Sequence, residues 1–299
     1  MIPTFPEFKL LSLSDKQAIE TITKKFAPYS DYNFISMWSY NVEGDFEISI
    51  LFDNIIVCFR DYVTNEKVLS FFGKNKVNKL CALLLDYTKK HNLPQELQLV
   101  PAIAVENTVN KQIFSIIEDP DNADFIYRVE DWAKLTKSVY GKKRNKVNQF
   151  KRSYPNYQVK ILDLNEKSTK KEILHLFDIW ATKKQLDTDH EKTAVTRLLT
   201  DSQYLSLFSI GIYIEETLIG FIIAELVQKN YALLHYTKAD HSYIGIFELL
   251  YTIFAQMILK KGYTFINREQ DLGIVNLRNA KLSWNPLFFL KKYTISYKE

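Results

Sequence analysis

Cysteine is nearly absent. Cys58 and Cys81 are the only two among 299 residues, each inside an apolar segment, so a disulfide framework and a cysteine-rich metal site are both excluded. Glycine and proline are scarce at 8 each, which excludes long flexible linkers and disordered arrays. No run reaches the ~20 apolar residues of a spanning helix. The greasiest region, Leu205 to Val227, is broken by Glu215 and Glu216 as a hairpin would be. The opening Met1-Ile2-Pro3-Thr4-Phe5-Pro6-Glu7 has no basic stretch followed by an apolar core, so no secretion signal is expected and the cytoplasm is the expected compartment. His91, His175, His190, His235 and His241 show no metal-ligand spacing, and no serine lies in a nucleophile-elbow pattern, so zinc chemistry and hydrolytic triads fit poorly. No metal is expected. The net charge of +4 is too small to mark a nucleic-acid protein by its total, which turns attention to where the charge lies.

What the chain does have is length for one large or two moderate domains and many aromatics: 18 Tyr, 20 Phe and 4 Trp. Ser14-Asp15-Lys16-Gln17 reads as a capping box, and Ile19, Ile22 and Phe26 continue at helical spacing until Pro28. Strands are expected over Phe46 to Phe52 and Ile55 to Arg60 around the turn Asp53-Asn54, then over Val68 to Phe72. Gly73 opens a helix with Val77, Leu80, Cys81, Leu84 and Leu85 on one face, ending in Lys89-Lys90, and Leu97 to Val100 is the next strand. The second half repeats this order. A strand at Tyr157 to Leu162 and a helical stripe of Ile173, Phe177 and Trp180 precede hairpin strands at Phe208 to Ile214 and Leu218 to Val227, with a third strand from Tyr231 to Tyr236. Gly245 opens the helix of Phe247, Leu250, Phe254 and Met257, which ends at Lys260-Lys261-Gly262 and feeds the strand Tyr263 to Ile266. A final strand is expected near Leu287 to Tyr293. Meander, single glycine, amphipathic helix ending in paired lysines, strand: the repeat of this order in both halves reads as a diverged duplication.

Three segments could carry chemistry. Lys142-Lys143-Arg144-Asn145-Lys146-Val147-Asn148-Gln149-Phe150-Lys151-Arg152 holds six cations and no acid, with Val147 and Phe150 as an inward stripe. Such a basic helix suits the phosphates of RNA, nucleotides or anionic headgroups alike, the alternative being a merely solvated face. Asn267-Arg268-Glu269-Gln270-Asp271-Leu272-Gly273 follows a strand directly, where ligands favour sheet ends, and Arg278 and Lys281 share one face of a short helix beyond it. The alternative there is a salt-bridged turn. Lys238-Ala239-Asp240-His241-Ser242-Tyr243-Ile244-Gly245 joins a strand to a helix whose first N–H groups could receive an anion, or it is a tight connection with Gly245 allowing close packing. One glycine makes neither a P-loop nor a dinucleotide fingerprint.

These segments resemble a bacterial family related to the soluble C-terminal domain of phosphatidylglycerol lysyltransferase, along nearly the whole chain. The resemblance is carried by Tyr140 to Phe150, by Lys238-Ala239-Asp240, and by Asn267 to Gly273 with Leu277-Arg278-Asn279-Ala280-Lys281-Leu282-Ser283. It implies an α/β fold of the α+β kind: two GNAT-like (acyl-CoA N-acyltransferase) lobes in tandem, each a mixed, largely antiparallel sheet flanked by helices, as in the Fem transferases that use aminoacyl-tRNA. The expected division is a degenerate N-terminal lobe over 1–124, a bridging basic helical segment over 125–156, and a C-terminal lobe carrying the site over 157–299.

The implied activity is aminoacyl transfer from aminoacyl-tRNA to an amine or hydroxyl acceptor, a lipid headgroup among the candidates. The alternatives are acyl transfer from acyl-CoA and a silent module that binds RNA or a phosphorylated ligand. The usual coenzyme A loop has paired glycines, and Asp240 to Phe247 offers only Gly245, which weakens acyl-CoA as donor. The lysyltransferase proper carries a membrane-spanning region, so a membrane is at most a peripheral partner here. No cofactor is required beyond the acyl donor, and tRNA or another phosphate-bearing ligand is the expected partner. Arg268, Glu269, Asp271 and Lys281 are the expected catalytic residues: the acids to orient or deprotonate the acceptor or hold a cationic aminoacyl group, the cations to stabilise negative charge. Lys142, Lys143, Arg144, Asn145, Lys146, Lys238, Tyr243, Gly245, Asn267 and Arg278 are the expected substrate and phosphate contacts.

Overall fold

A computed structural model describes residues 1–61, 64–106, 109–184, 189–227 and 230–298. The chain forms two compact units: residues 1–125 with 269–283 and 288–299, and residues 126–268 with 284–287. The last segments of the chain group with the first unit, and residues 126–156, which include the basic helix, group with the second.

The first unit begins with β1 (Lys9–Leu10), α1 (Lys16–Thr23) and α2 (Phe34–Tyr40). The entry to α1 is organised by Asp15, whose carboxylate accepts from Ser12 N at 2.9 Å and pairs with Lys9 at 2.8 Å. The capping box therefore runs from Ser12 to Asp15, two residues before the expected start, because Ser12 is the residue held in extended backbone. The meander follows as β2 (Glu47–Leu51), β3 (Asn54–Arg60) and β4 (Lys67–Phe72). The β2–β3 turn places Phe52 and Asp53 at φ of 52° and 59°, the two left-handed residues of a tight hairpin. α3 (Val77–Lys90) buries Leu80, Cys81, Leu84 and Leu85 against the sheet, with Lys89 and Lys90 at its negative end. Both cysteines are free and buried, and burial pushes the thiols up to about 11 at Cys58 and about 12 at Cys81. β5 (Leu97–Pro101), α4 (Ala102–Val105) and the long β6 (Phe114–Arg128) complete this stretch, with β6 ending inside the second unit.

The second unit continues with α5 (Val129–Lys134), the basic α6 (Gly141–Ser153), β7 (Gln158–Ile161), α7 (Lys167–Lys184) and α8 (Asp189–Thr200). The strands β8 (Leu207–Ile214), β9 (Thr217–Val227) and β10 (Tyr231–Ala239) form the meander, α9 (Ile246–Lys260) crosses over, and β11 (Phe265–Asn267) follows. The chain then returns to the first unit with α10 (Val275–Leu282) and β12 (Phe288–Tyr297).

Each unit has one run of paired strands, and the two runs share one pattern. In the first, β2, β3 and β4 are antiparallel, β4 runs parallel to β5, and β5 is antiparallel to β12. In the second, β8, β9 and β10 are antiparallel, β10 runs parallel to β11, and β11 is antiparallel to β6. The parallel step needs a crossover, which α3 supplies in one and α9 in the other. The last strands of the two runs are exchanged in chain order: β6, made before the second meander, pairs with β11, and β12, from the end of the chain, pairs with β5. No helix among the described residues is long and apolar enough to cross a membrane.

Candidate functional site

In the second unit, two sequence-remote cations converge on one aromatic cluster. Trp132 stacks against Tyr127, Tyr251 and Trp284 with ring centroids 4.7, 5.1 and 4.7 Å away, and all four rings are buried. Arg268, directly after β11, lays its guanidinium 4.6 Å from the Tyr251 ring and 5.7 Å from Trp132, and donates to Tyr251 Oη at 2.9 Å. Lys143, from the first turn of α6, places Nζ 4.8 Å from the Trp284 ring. Burial pulls the Lys143 ammonium's pKa down, with Lys146 and Arg268 pushing the same way and Glu248 opposing them. Cation–π contacts hold both charges while leaving Arg268 and Lys143 partly exposed.

The rest of α6 divides by face. Val147 and Phe150 are buried, while Lys142, Arg144, Asn145 and Lys146 are exposed, as the basic-helix reading expects. Arg144 also donates to the Leu135 carbonyl, tying α6 to the end of α5. Lys146 lies 3.2 Å from Glu248 in the first turn of α9.

The β10–α9 connection is not an open anion cradle. Gly245 has φ of +89°, and a Cβ there would stand 2.4 Å from the Lys146 carbonyl oxygen. The close approach serves the packing of α6 on α9. Glu248 supplies an acidic group of the chain itself in the turn where a bound anion would sit, a placement the helix macrodipole favours. Tyr243 is half-buried and meets the Tyr154 ring edge-on, with centroids 5.2 Å apart. Lys238 is sealed: its ammonium sits 3.5 Å from the Trp180 ring centroid and 2.7 Å from Glu191, and burial pulls its pKa down. Asn267 is fully buried in β11.

The remaining expected residues lie in the first unit and hold a turn together. Glu269 and Leu272 have φ of +59° and +54°, followed by Gly273 at +72°. Lys281, buried, donates to the carbonyls of Glu269 and Gln270 at 3.1 and 2.5 Å, binding the turn through its backbone. Asp271 is fully buried and accepts from Arg278 Nε and Nη2, each at 2.7 Å, and from Gly273 N at 3.0 Å. Arg278 also pairs with Asp121 at 2.6 Å. Glu269 is half-buried, with Ser36 Oγ 3.4 Å from its carboxylate.

Behind this turn lies a network that sequence reasoning missed. Lys292 on β12 is fully buried and pairs with Asp31 and, at 2.8 Å, with Asp124. Ser30 donates its N–H to Asp124 at 2.7 Å, and Gln270 donates to Asp31 at 3.0 Å. The only signal was the residues' charge, and nothing in their spacing says that chain positions so far apart meet. Tyr251, Trp132, Trp284 and Glu248 were also missed. Glu248 had a signal, as the lone acid within the apolar run Ile246 to Leu259.

Each unit thus has the meander, crossover helix and parallel strand expected of a GNAT-like lobe, and the class defined is a mixed α/β protein whose large, mostly antiparallel sheet is flanked by helices. The family model for "Phosphatidylglycerol lysyltransferase, C-terminal" matches residues 65–296, and the chain belongs to that family. Among solved structures, a conserved protein of unknown function from Bacteroides thetaiotaomicron VPI-5482 is 26% identical with a TM-score of 0.85, covering 100% of both chains. The C-terminal domain of a putative lysylphosphatidylglycerol synthetase from Agrobacterium fabrum is 10% identical with a TM-score of 0.68, over 96% of this chain and 92% of that one. FemX is 9% identical with a TM-score of 0.61, over 98% and 97%. No curated protein sequence matches the chain.

Proposed function

We propose that the protein transfers an aminoacyl group from aminoacyl-tRNA to an amine or hydroxyl acceptor. The observation that carries this is the convergence of Lys143 and Arg268 on the Trp132–Tyr251–Trp284 cluster, which places two largely buried but still accessible cations against one low-dielectric wall. Family membership supports it. An ester donor is already activated. The acceptor nitrogen or oxygen bonds to the ester carbonyl carbon, the bond to the ribose oxygen breaks, and the acceptor's proton ends on that leaving oxygen. Negative charge develops first on the carbonyl oxygen, and fixed cations beside a buried aromatic surface stabilise it more than water would. Exposed Lys142, Arg144 and Lys146 hold backbone phosphates of the RNA, a shape-and-charge contact that needs no base reading. Asp271 and Lys281 serve the reaction indirectly, as the bonds that fix the turn after Arg268.

Acyl-CoA is the weaker donor. Its diphosphate would need the start of α9, where α6 packs on Gly245 and Glu248 already supplies a carboxylate.

The test is to incubate the purified protein with tRNA charged with labelled amino acids, in the presence of anionic lipid vesicles or amine-bearing peptides. Label should leave the tRNA and appear on an acceptor, and Arg268→Ala should slow this by about 100-fold or more while the chain stays folded. Tight binding and turnover of acyl-CoA without tRNA binding would overturn the reading.

A further inference from the structure

Glu248 is the one acid of α9's apolar run, and it is 7% exposed. Its Oε1 lies 3.2 Å from Lys146 Nζ and 3.7 Å from Lys143 Nζ. The two lysines differ in kind: the Lys146 side chain is 53% exposed, that of Lys143 only 17%. Lys143 therefore depends more on its surroundings. From α6 it faces Lys146, from beyond β11 it faces Arg268, and from α9 it faces Glu248. The Trp284 ring lies beneath it, and Tyr251, whose hydroxyl accepts from Arg268, and Tyr140 pack against that ring. Burial and both neighbouring cations favour a neutral amine at Lys143. Glu248 is the single opposing charge in this set.

Resting on the reading of Lys143 and Arg268 as the pair that stabilises the oxyanion, we infer that Glu248 is a positioning residue whose carboxylate keeps Lys143 charged and aimed without touching substrate. A charged Lys143 stabilises an oxyanion; a neutral one does not. The competing account is mechanical, with Glu248 only pinning α6 to α9. The two differ in one observable, since a pin has no reason to set the protonation of one lysine among many.

Competitive acylation of the full-length protein with trace acetic anhydride from about pH 7 to about pH 11, read by mass spectrometry, gives the titration midpoint of each lysine. In Glu248→Gln, which keeps the side chain's shape, the Lys143 midpoint should fall by about one pH unit or more. An unchanged Lys143 midpoint in a folded Glu248→Gln protein overturns the inference. Should that variant fail to fold, Lys146→Met provides the second arm: removing the like charge must raise the Lys143 midpoint, and no rise overturns the inference. The transfer assay separates this from the proposed reaction. In Glu248→Gln the alkaline limb of the transfer rate should shift down with the labelling midpoint. A labelling shift in a protein that never transfers an aminoacyl group would sink the transferase reading and leave the charge-setting role standing.

Discussion

The two units follow one order of strands and helices, yet each holds a charged cluster placed in the opposite way from the other's. The first seals Lys292, Asp31 and Asp124 inside its core, where all three are buried. The second lays Arg268 and Lys143 over buried rings and leaves both partly exposed. Ionic residues of the same types thus do different work, and burial separates them: the sealed set can only hold structure, whereas the partly exposed set can meet a ligand. Asp271 teaches the same lesson on a smaller scale, since an acid expected to act on substrate spends its oxygens on Arg278 and Gly273.

The contrast breaks most sharply at Lys292. Lys292→Met leaves two buried carboxylates without their cation and should cost about 3–5 kcal/mol, read from the urea midpoint. Adding Asp31→Asn and Asp124→Asn should recover much of that loss, because the orphaned charges go with the ammonium. A loss under 1 kcal/mol in the single variant would mean that the network is solvated and the contrast false.

Gly73 and Gly245 precede the crossover helices of the two units and probe the shared architecture. At Gly245 an added methyl meets the Lys146 backbone and a left-handed φ, so Gly245→Ala should cost about 2–4 kcal/mol. At Gly73 it meets Asn54 Oδ1, and Asn54 is held by bonds to the Leu51, Phe52 and Asn75 carbonyls, so a similar loss is expected. Gly262→Ala, with φ of +85° but open space around it, should cost only about 1 kcal/mol. Equal melting temperatures for all three would show that packing at the helix starts is unimportant.

The smallest effect is on pH. Burial raises the Asp31 carboxyl to about 6, Lys292 opposing and Asp124 adding to it. Its folded value lies above its unfolded one, so the folded state binds the extra proton. The stabilisation is complete below about pH 4 and is lost as the pH rises through about 6. Wild-type stability minus that of Asp31→Asn should therefore decline between about pH 4 and about pH 6.5, measured as paired urea midpoints. A flat difference would remove the titrating group from the sealed network.

Much of this was legible in the sequence, for identifiable reasons. The meanders and the helices α3 and α9 announce themselves because each buries one face and leaves the other wet. α2 hid because Phe34 to Met37 are buried in succession, which erases the helical period. β6 hid because Glu118-Asp119-Pro120-Asp121-Asn122 has the composition of a turn. Periodicity finds a strand but not its partner, so the return of β12 to the first unit was out of reach. At the site, Lys143 and Arg268 stood out by charge. The rings they rest on did not, since a buried Trp or Tyr looks like any other core residue. Lys238 was misleading for the same reason in reverse: its charge drew notice, and its place against Trp180 and Glu191 could not be read from spacing.

The exchange of closing strands sets an order for synthesis. A growing chain has every strand of the second run once β11 has left the ribosome, because β6 precedes it. The first meander, although made earlier, waits for β12, which pairs with β5 and delivers Lys292 to Asp31 and Asp124. Domains released from a ribosome usually fold N-terminal first. Here the later-made unit is the first that can finish, and a nascent chain arrested before β12 would hold two buried-to-be carboxylates with no counter-ion, a state open to chaperones and proteases.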